Sequence, residues 1–254
     1  MCLPRVKFTY GPTQVFIHFI KDVMLNFLFT FLITINTFAA VSLSEFQQLK
    51  DSLHLAFKEL RPDSTHRLFI NLTNDLPENY WWDLDVVHAS YSNLGNNHNI
   101  FIFGGFAKLQ EMTLDGLAIT ACHEIAHGIG GAPYKISGTS TEGQADYYAT
   151  KYCLPKVFKY LNQSSEVTES QFNLNFCKKS SDYTYCMRAL TALESNIYFY
   201  KTLGDIVYFN TQSDEVATNL NTSPTFYPSS QCRIDTSLRG VIKRSRPACW
   251  FPKN

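Results

Sequence analysis

Apolar residues recur at three- and four-residue spacings from Leu43 to Leu60, and Pro62 follows shortly after the last of them. Positions spaced in this way lie on one side of an α-helix, with the polar residues on the other side. The pattern therefore predicts an amphipathic helix over Leu43–Leu60 that ends before the proline.

Two shorter runs, Arg67–Leu72 and Asn99–Phe103, combine apolar and β-branched residues and are bounded by Asn, Asp, Pro or Gly. Runs of this length and composition predict β-strands. The pair of glycines at Gly104 and Gly105 predicts the end of the second strand.

The second half of the chain has a mainly helical pattern over Thr113–Tyr160 and Tyr183–Phe209, with approximate ends. The last stretch, Asn210–Asn254, is rich in Ser, Thr and Pro and predicts an irregular segment held in place by cysteines. Neither an internal repeat nor a long linker interrupts the pattern. We therefore expect one α+β domain over residues 43–254.

The first 42 residues have a different composition from the rest. The run Val23–Leu43 carries no charge, is rich in Leu, Ile and Phe, and has small residues near Ala39 and Ala40. These features predict a secretory signal over residues 1–42, and Met24 is an alternative start. An uncleaved anchor is the other interpretation, because about 20 apolar residues span a bilayer. Polar residues within the run favour cleavage, so we expect an exported, periplasmic or secreted protein without stable membrane insertion.

The balance of charged residues argues against one class of partner, nucleic acid. The chain has 22 basic and 22 acidic side chains, so its formal net charge is zero, and no basic run occurs. Proteins that bind nucleic acid need a surplus of Lys and Arg on one surface to neutralise phosphates. We therefore expect no nucleic-acid partner.

Six cysteines follow the predicted leader, and an even number in an exported chain predicts disulfides. None of them forms a C-x-x-C pair, which argues against a cysteine-rich zinc site. Proximity in sequence favours two bonds, Cys177 with Cys186 and Cys232 with Cys249. Buried free thiols are the alternative.

The sequence H-E-x-x-H occurs at His123, Glu124 and His127 inside the helical segment that follows Thr113. At 100° per residue the two histidines lie about 40° apart on one face, one turn from each other. Both imidazoles can therefore reach a single metal ion. Two histidines satisfied in the core, with Glu124 at the surface, are the alternative.

A hydrolytic zinc site needs three protein ligands and an open fourth position for water. The metzincin spacing matches at Gly130, but Pro133 stands where that class has its third histidine, which excludes the class. No histidine follows His127. A third ligand from the C-terminal side must therefore be a carboxylate.

The segment E-G-Q-A-D places Glu142 and Asp146 four residues apart, on one face of a second helix. If the two helices run antiparallel, Glu142 lies opposite His127 and completes the metal shell. Asp146 then lies opposite His123 and can accept the hydrogen bond of its other ring nitrogen. A solvated carboxylate face is the alternative.

Two further predictions follow for this second helix. Thr141 and Gln144 have the spacing of a capping box at its start. In the antiparallel register Cys153 lies opposite Gly116, about 9 Å along the helix axis from Cys122. This separation predicts that the two cysteines are not bonded to each other.

H-E-x-x-H followed by E-x-x-x-D resembles the gluzincin metalloproteases over about Thr113–Leu154. The E-G-Q-A-D form is similar to the clan of prenyl-proteases and heat-shock membrane proteases with their small soluble exported bacterial relatives. Q-C-R-I-D-T and R-P-A-C-W-F near the end also resemble the exported members. The resemblance implies a zincin-like α+β fold. The several transmembrane helices of the membrane members have no counterpart here, so their lipidated-peptide substrates are not implied.

The expected activity is hydrolysis of peptide bonds in a peptide or protein substrate, with one Zn²⁺ per chain held by His123, His127 and Glu142. Glu124 is the expected general base. The resemblance also implies that the strand Asn99–Phe103 presents its edge to the substrate above the zinc. A catalytically silent zinc-bearing protein, or a disulfide-held envelope binding protein, is the alternative. The residue that stabilises the transition state stays open among Tyr183, Tyr185, Arg188 and Arg233.

Overall fold

The structure, a computed structural model, describes residues 40–162 and 167–252. The signal peptide predicted over residues 1–42 falls on residues 1–39, outside the described part, except for its last three positions. Helix α1 spans Leu43–Leu60, which confirms the predicted amphipathic helix. Ser42 and Glu45 form a capping box at its start, because the Ser42 side chain accepts from the Glu45 amide and Glu45 accepts from the Ser42 amide at 2.8 Å.

A three-stranded sheet follows, in the order β1-β3-β2. Its strands are β1 (Arg67–Ile70), β2 (Ala89–Leu94) and β3 (Asn97–Ile102). The two predicted strands are therefore present with slightly different ends. β3 pairs in parallel with β1 and antiparallel with β2, so it is the central strand. The expectation that Asn99–Phe103 presents a free edge is wrong, and β2 is the edge strand on that side.

Helices make up most of the remaining chain. The segment predicted to be irregular contains a helix of 12 residues, α9 (Ser230–Val241), so this prediction is wrong in part. Its buried face carries Ile234, Leu238 and Val241 at helical spacing, which the surrounding Ser and Thr residues obscure in the sequence. The other helices are α2 (Tyr80–Asp83), α3 (Gly104–Ala107), α4 (Leu114–Ile129), α5 (Glu142–Tyr148), α6 (Leu154–Tyr160), α7 (Gln171–Cys177) and α8 (Tyr183–Thr202).

Helix α4 is the centre of the core. It packs against β2 and β3 on one side and against α5, α8 and α1 on others. A Cβ atom at Gly116 would lie 2.5 Å from the Ser195 side chain, so glycine is required for the close approach of α8. The burial of α4 on all sides holds its polar residues in a fixed, largely dry environment.

Three disulfides lie within the described residues, and the pairs Cys177–Cys186 and Cys232–Cys249 confirm the predicted bonds. Cys122 is bonded to Cys153, with their Cα atoms 5.6 Å apart, so the prediction that these two do not pair is wrong. That prediction assumed one straight α-helix from residue 142 to 153. The chain instead passes through a π-helical turn, Ala149–Cys153, and the wider turn changes the direction in which Cys153 faces.

No helix in the described ranges is both long and apolar enough to cross a membrane.

Candidate metal centre

The helix that carries the histidines has well-defined ends. The Thr113 side chain accepts a hydrogen bond from the Gly116 amide at 3.0 Å and caps the start of α4. Gly130 caps its end, and Gly131 follows with φ of +78°. His127 therefore lies in the last turn, where the chain leaves the helix and returns toward α5.

Three buried side chains, His123, His127 and Glu142, have ligand atoms that all lie within 4.8 Å of one another. Glu142 Oε2 is 3.2 Å from His123 Nε2, and Glu142 Oε1 is 3.5 Å from His127 Nε2. Ligands of a tetrahedral zinc at 2.0–2.1 Å are about 3.3 Å from each other. This group could therefore hold a metal ion.

One atom of the group has charged neighbours but no hydrogen bond within the described part of the chain. Glu142 is 2% exposed, and its Oε2 atom makes no hydrogen bond of good geometry despite its proximity to His123. A buried carboxylate oxygen without a partner costs several kcal/mol of solvation, roughly, and is rarely left so. A cation between the carboxylate and the two imidazoles would satisfy it, so the donor set fits a metal.

The far ring nitrogens of both histidines are also fixed. His127 Nδ1 donates to the Ser140 carbonyl oxygen at 2.9 Å. His123 Nδ1 lies 2.7 Å from Asp146 Oδ1. Bonds of this kind hold the imidazole orientation and leave Nε2 free for a metal. The structure thus brings Asp146 to His123 and Glu142 to both histidines.

Asp146 has a second partner that the sequence pattern does not reveal. The Arg233 guanidinium donates to both carboxylate oxygens, from Nε at 2.8 Å and from Nη2 at 2.9 Å. Arg233 Nη2 is also 3.7 Å from Glu142 Oε2. Of the four residues considered for the transition state, Arg233 lines the same cavity as the histidines. Tyr185 donates instead to the Thr150 carbonyl, Arg188 binds Asp115, and Tyr183 is 47% exposed at the start of α8.

Glu124 lines the same cavity and is 7% exposed. Within the described part of the chain its carboxylate has no hydrogen-bond or ion-pair partner. Burial raises its pKa to about 7, partly opposed by the charge of His123. A carboxyl group in this condition can both accept and release a proton near neutral pH.

The charges of the group act in opposite directions on the two histidines. Burial by itself lowers the pKa of His123, but the charge and hydrogen bond of Asp146 raise it to about 10. Burial and the neighbouring His123 lower the pKa of His127 to about 4. Burial would raise the pKa of Glu142, but its contacts with His123, His127 and Arg233 hold it well below its usual range. A metal ion bound by His123 would therefore displace the proton of this histidine.

The histidines open onto a cavity of about 360 Å³ that two unpredicted residues border. Lys135 Nζ lies 2.6 Å from Glu142 Oε1. Two cations lie near the Tyr227 ring, with Lys135 Nζ 5.7 Å and the Arg233 guanidinium 5.9 Å from its centroid. Both residues lie outside the helices that carry the motif, so no spacing rule relates them to it.

Edge strand β2 forms another wall of the cavity through Ala89, Ser90 and Tyr91. The Tyr91 hydroxyl is 2.7 Å from His98 Nδ1, and His98 Nε2 is 2.8 Å from His66 Nδ1. A Cβ atom at Gly128 would lie 2.4 Å from both the Tyr91 hydroxyl and His98 Nδ1. Glycine next to His127 therefore lets the sheet pack directly on α4.

The predicted capping box of α5 is absent. Thr141 is the N-cap residue, but its side chain makes no capping hydrogen bond. Gln144 instead donates to the Gly130 carbonyl at 2.6 Å and accepts from Arg246 Nε at 2.7 Å. These bonds connect the end of α4 to the start of α5, and so they position Glu142 relative to His127.

Comparison of the chain with protein-family models, with curated proteins and with solved structures gives no match. The fold and the site by themselves define an α+β, disulfide-bonded domain with a buried His-His-Glu group that could hold a metal ion.

Proposed function

We propose that the protein is an exported, zinc-dependent endopeptidase of the gluzincin type. The observation that carries this proposal is the group of His123, His127 and Glu142, with Glu124 unpaired in the same cavity. Two imidazoles and one carboxylate with ligand atoms within 4.8 Å of one another have the composition of a catalytic zinc site, which keeps one position open. The H-E-x-x-H and E-G-Q-A-D motifs support the same class.

Zinc held by these side chains would polarise the substrate carbonyl and lower the pKa of water to about 7. Glu124 accepts the proton of the attacking water and delivers it to the leaving amine, a role consistent with its own pKa of about 7. Asp146 holds the His123 ring in orientation, and Ser140 does the same for His127. Tyr227, Arg233 and Lys135 line the same cavity, and each carries a donor that could stabilise the negative charge that develops on the carbonyl oxygen.

The substrate is proposed to bind as an added strand. β2 is hydrogen-bonded to β3 on one side, and its first half lines the cavity. An extended peptide can pair with the free side of an edge strand through its main chain, independently of its sequence. This arrangement would present a scissile peptide bond to Glu124 and suits an endopeptidase.

Three disulfides in the described residues support export to an oxidising compartment, periplasmic or extracellular.

The test is metal content together with activity. Purified protein should contain one zinc per chain by elemental analysis and should cleave an unfolded reporter protein. A chelator should abolish cleavage, and zinc should restore it. Glu124→Gln should retain zinc and lose cleavage. Absence of zinc uptake would exclude the metalloprotein proposal, and cleavage that survives the chelator would exclude the mechanism.

A metal-free, disulfide-held envelope binding protein is the second candidate. Lys135 favours it, because its ammonium group is 2.6 Å from Glu142 Oε1 and competes with a metal ion for that oxygen. Absence of zinc uptake would select this candidate.

A further inference from the structure

A cluster of exposed apolar side chains lies beside the metal cavity. Ile136 is 82% exposed, Val216 is 74% exposed and Tyr227 is 59% exposed. All three line a second, open cavity of about 640 Å³. Exposed apolar groups that cluster around a concavity commonly mark a binding surface.

The second cavity adjoins the first. Tyr227 lines both cavities, and Lys135 lines the first while its neighbour Ile136 lines the second. The Ile136 amide donates to the Thr222 carbonyl at 3.0 Å, which joins the two sides of the second cavity. A chain that leaves the metal cavity past Tyr227 therefore reaches the second cavity next.

The lining of this cavity is nearly uncharged. Glu215 is the charged residue among the described residues that line it, and its carboxylate accepts a hydrogen bond from the Ser229 hydroxyl at 3.1 Å. Apolar side chains, among them Ile136, Val216 and Leu220, share this lining with uncharged Asn, Ser and Thr side chains. The chemistry thus fits an apolar side chain better than a basic or acidic one.

We propose that this second cavity is a substrate subsite that binds an apolar side chain of an extended polypeptide. The inference rests on the proposed peptidase function and adds a selectivity to it. The path from Glu142 to Ile136 Cα runs along the Lys135 side chain and one peptide unit, and its length is about 10 Å. An extended chain covers this distance in about three residues. The preferred substrate therefore carries a Leu, Ile or Phe about three positions from the scissile bond.

The experiment uses the Glu124→Gln variant, so that peptides bind without being cleaved. Three fluorescent peptides share one sequence and differ only in having Leu three residues before the central bond, Leu three residues after it, or Ser at both positions. Dissociation constants are measured by fluorescence anisotropy in zinc-loaded protein. We expect one of the two Leu peptides to bind about tenfold more tightly than the Ser peptide.

Ile136→Ser and Val216→Ser, each added to Glu124→Gln, should remove most of this preference without affecting the Ser peptide. Ile206→Ser is the matched control, because Ile206 is 76% exposed and lies outside the residues that line either cavity. All three positions are exposed, so the variants should fold. Zinc content, measured in parallel, should be the same in all of them.

Equal binding of the three peptides, or equal effects of Ile136→Ser and Ile206→Ser, would overturn the subsite. Cleavage of the Ser peptide by the wild-type protein would leave the proposed peptidase function intact in that case. If wild-type protein cleaved no peptide while Glu124→Gln retained the Leu preference, the peptidase function would fail and the apolar site would stand as a peptide-binding site.

Discussion

Asp146 joins two functional elements, because its carboxylate binds both His123 and Arg233. Replacing Asp146 by Ala should therefore have two separable effects. The His123 ring loses the acceptor that orients it, and the Arg233 guanidinium loses its bidentate partner. Asp146→Asn keeps one acceptor oxygen but removes the charge, so its effects should be smaller in both respects.

The expected magnitudes follow from the two contacts. Loss of the acceptor of a metal-bound histidine weakens metal affinity about 10- to 100-fold, or about 1.4 to 2.7 kcal/mol. Removing one partner of a buried ion pair costs about 3 to 5 kcal/mol of folding stability. The Arg233 side chain is 16% exposed, so the lower end of that range applies. Such a loss is a large fraction of the usual stability of about 5 to 15 kcal/mol.

Two measurements distinguish the effects. Urea unfolding in the presence of a chelator reports the stability of the metal-free protein, and competition with a chromogenic chelator reports zinc affinity. The double variant Asp146→Ala with Arg233→Met removes the unpaired charge as well. It should be more stable than Asp146→Ala alone, while its zinc affinity should stay reduced.

The outcome that contradicts this reasoning is equally specific. If Asp146→Ala had the same midpoint of urea unfolding as the wild type, the contact between Asp146 and Arg233 would contribute nothing to the free energy of unfolding. If its zinc affinity were unchanged, His123 would not depend on Asp146 for its orientation.

Three other predictions concern the same region. Glu142→Gln should lose zinc affinity, whereas Glu124→Gln should keep it and lose about 10²- to 10⁴-fold in turnover, as equilibrium dialysis and peptide cleavage would measure. Replacing both Cys122 and Cys153 by Ala should lower the free energy of unfolding by about 3 to 4 kcal/mol, since the bond closes a sequence separation of 31 residues. Burial, aided by His66, lowers the pKa of His98 below 6.5 in the folded protein. His98 therefore binds a proton more readily in the unfolded chain than in the folded protein. The stability that neutral His98 provides is complete above pH about 6.5 and decreases as the pH falls below that value. Urea unfolding at pH 7.5 and 5.0 should show this decrease, and it should be smaller in His98→Gln.

Each of these predictions has a contradicting result. Equal zinc affinity of the Glu142→Gln and Glu124→Gln variants would contradict the division of roles between the two carboxylates. Wild-type stability of the variant without Cys122 and Cys153 would mean that the bond does not constrain the unfolded chain. The same pH response in wild type and His98→Gln would assign the acid sensitivity to other groups.

The helices of this protein can be predicted from sequence where apolar residues recur at the spacing of an α-helix. α1 and the limits of α4 follow from apolar spacing, Thr113 and the glycines after Ile129. The proximity of His123 and His127 follows from helix geometry alone. These features depend on residues within one or two turns of each other, and local rules describe them well.

Features that depend on irregular backbone do not follow from the same rules. Cys153 ends a π-helical turn that apolar spacing does not predict, and it is bonded to Cys122 although a straight antiparallel helix pair would keep the two apart. β2 carries Ser and Asn residues, and apolar and polar positions alternate little along it. Its pairing with β3 makes it a strand. Lys135 and Tyr227 reach the candidate site from segments without a periodic pattern, so only the tertiary structure relates them to the histidines.

The Cys122–Cys153 bond has a consequence for the unfolded chain as well as for the native one. The candidate ligands His123, His127 and Glu142 all lie between the two bonded cysteines in sequence, so the bond encloses them in one covalent ring. While the bond is intact, unfolding cannot carry the three side chains far apart, and their effective concentration around a metal ion stays high. The oxidised chain would therefore keep some zinc affinity when its core is lost. Metal capture can then precede folding, with the ring acting as a flexible chelator around which the helices assemble.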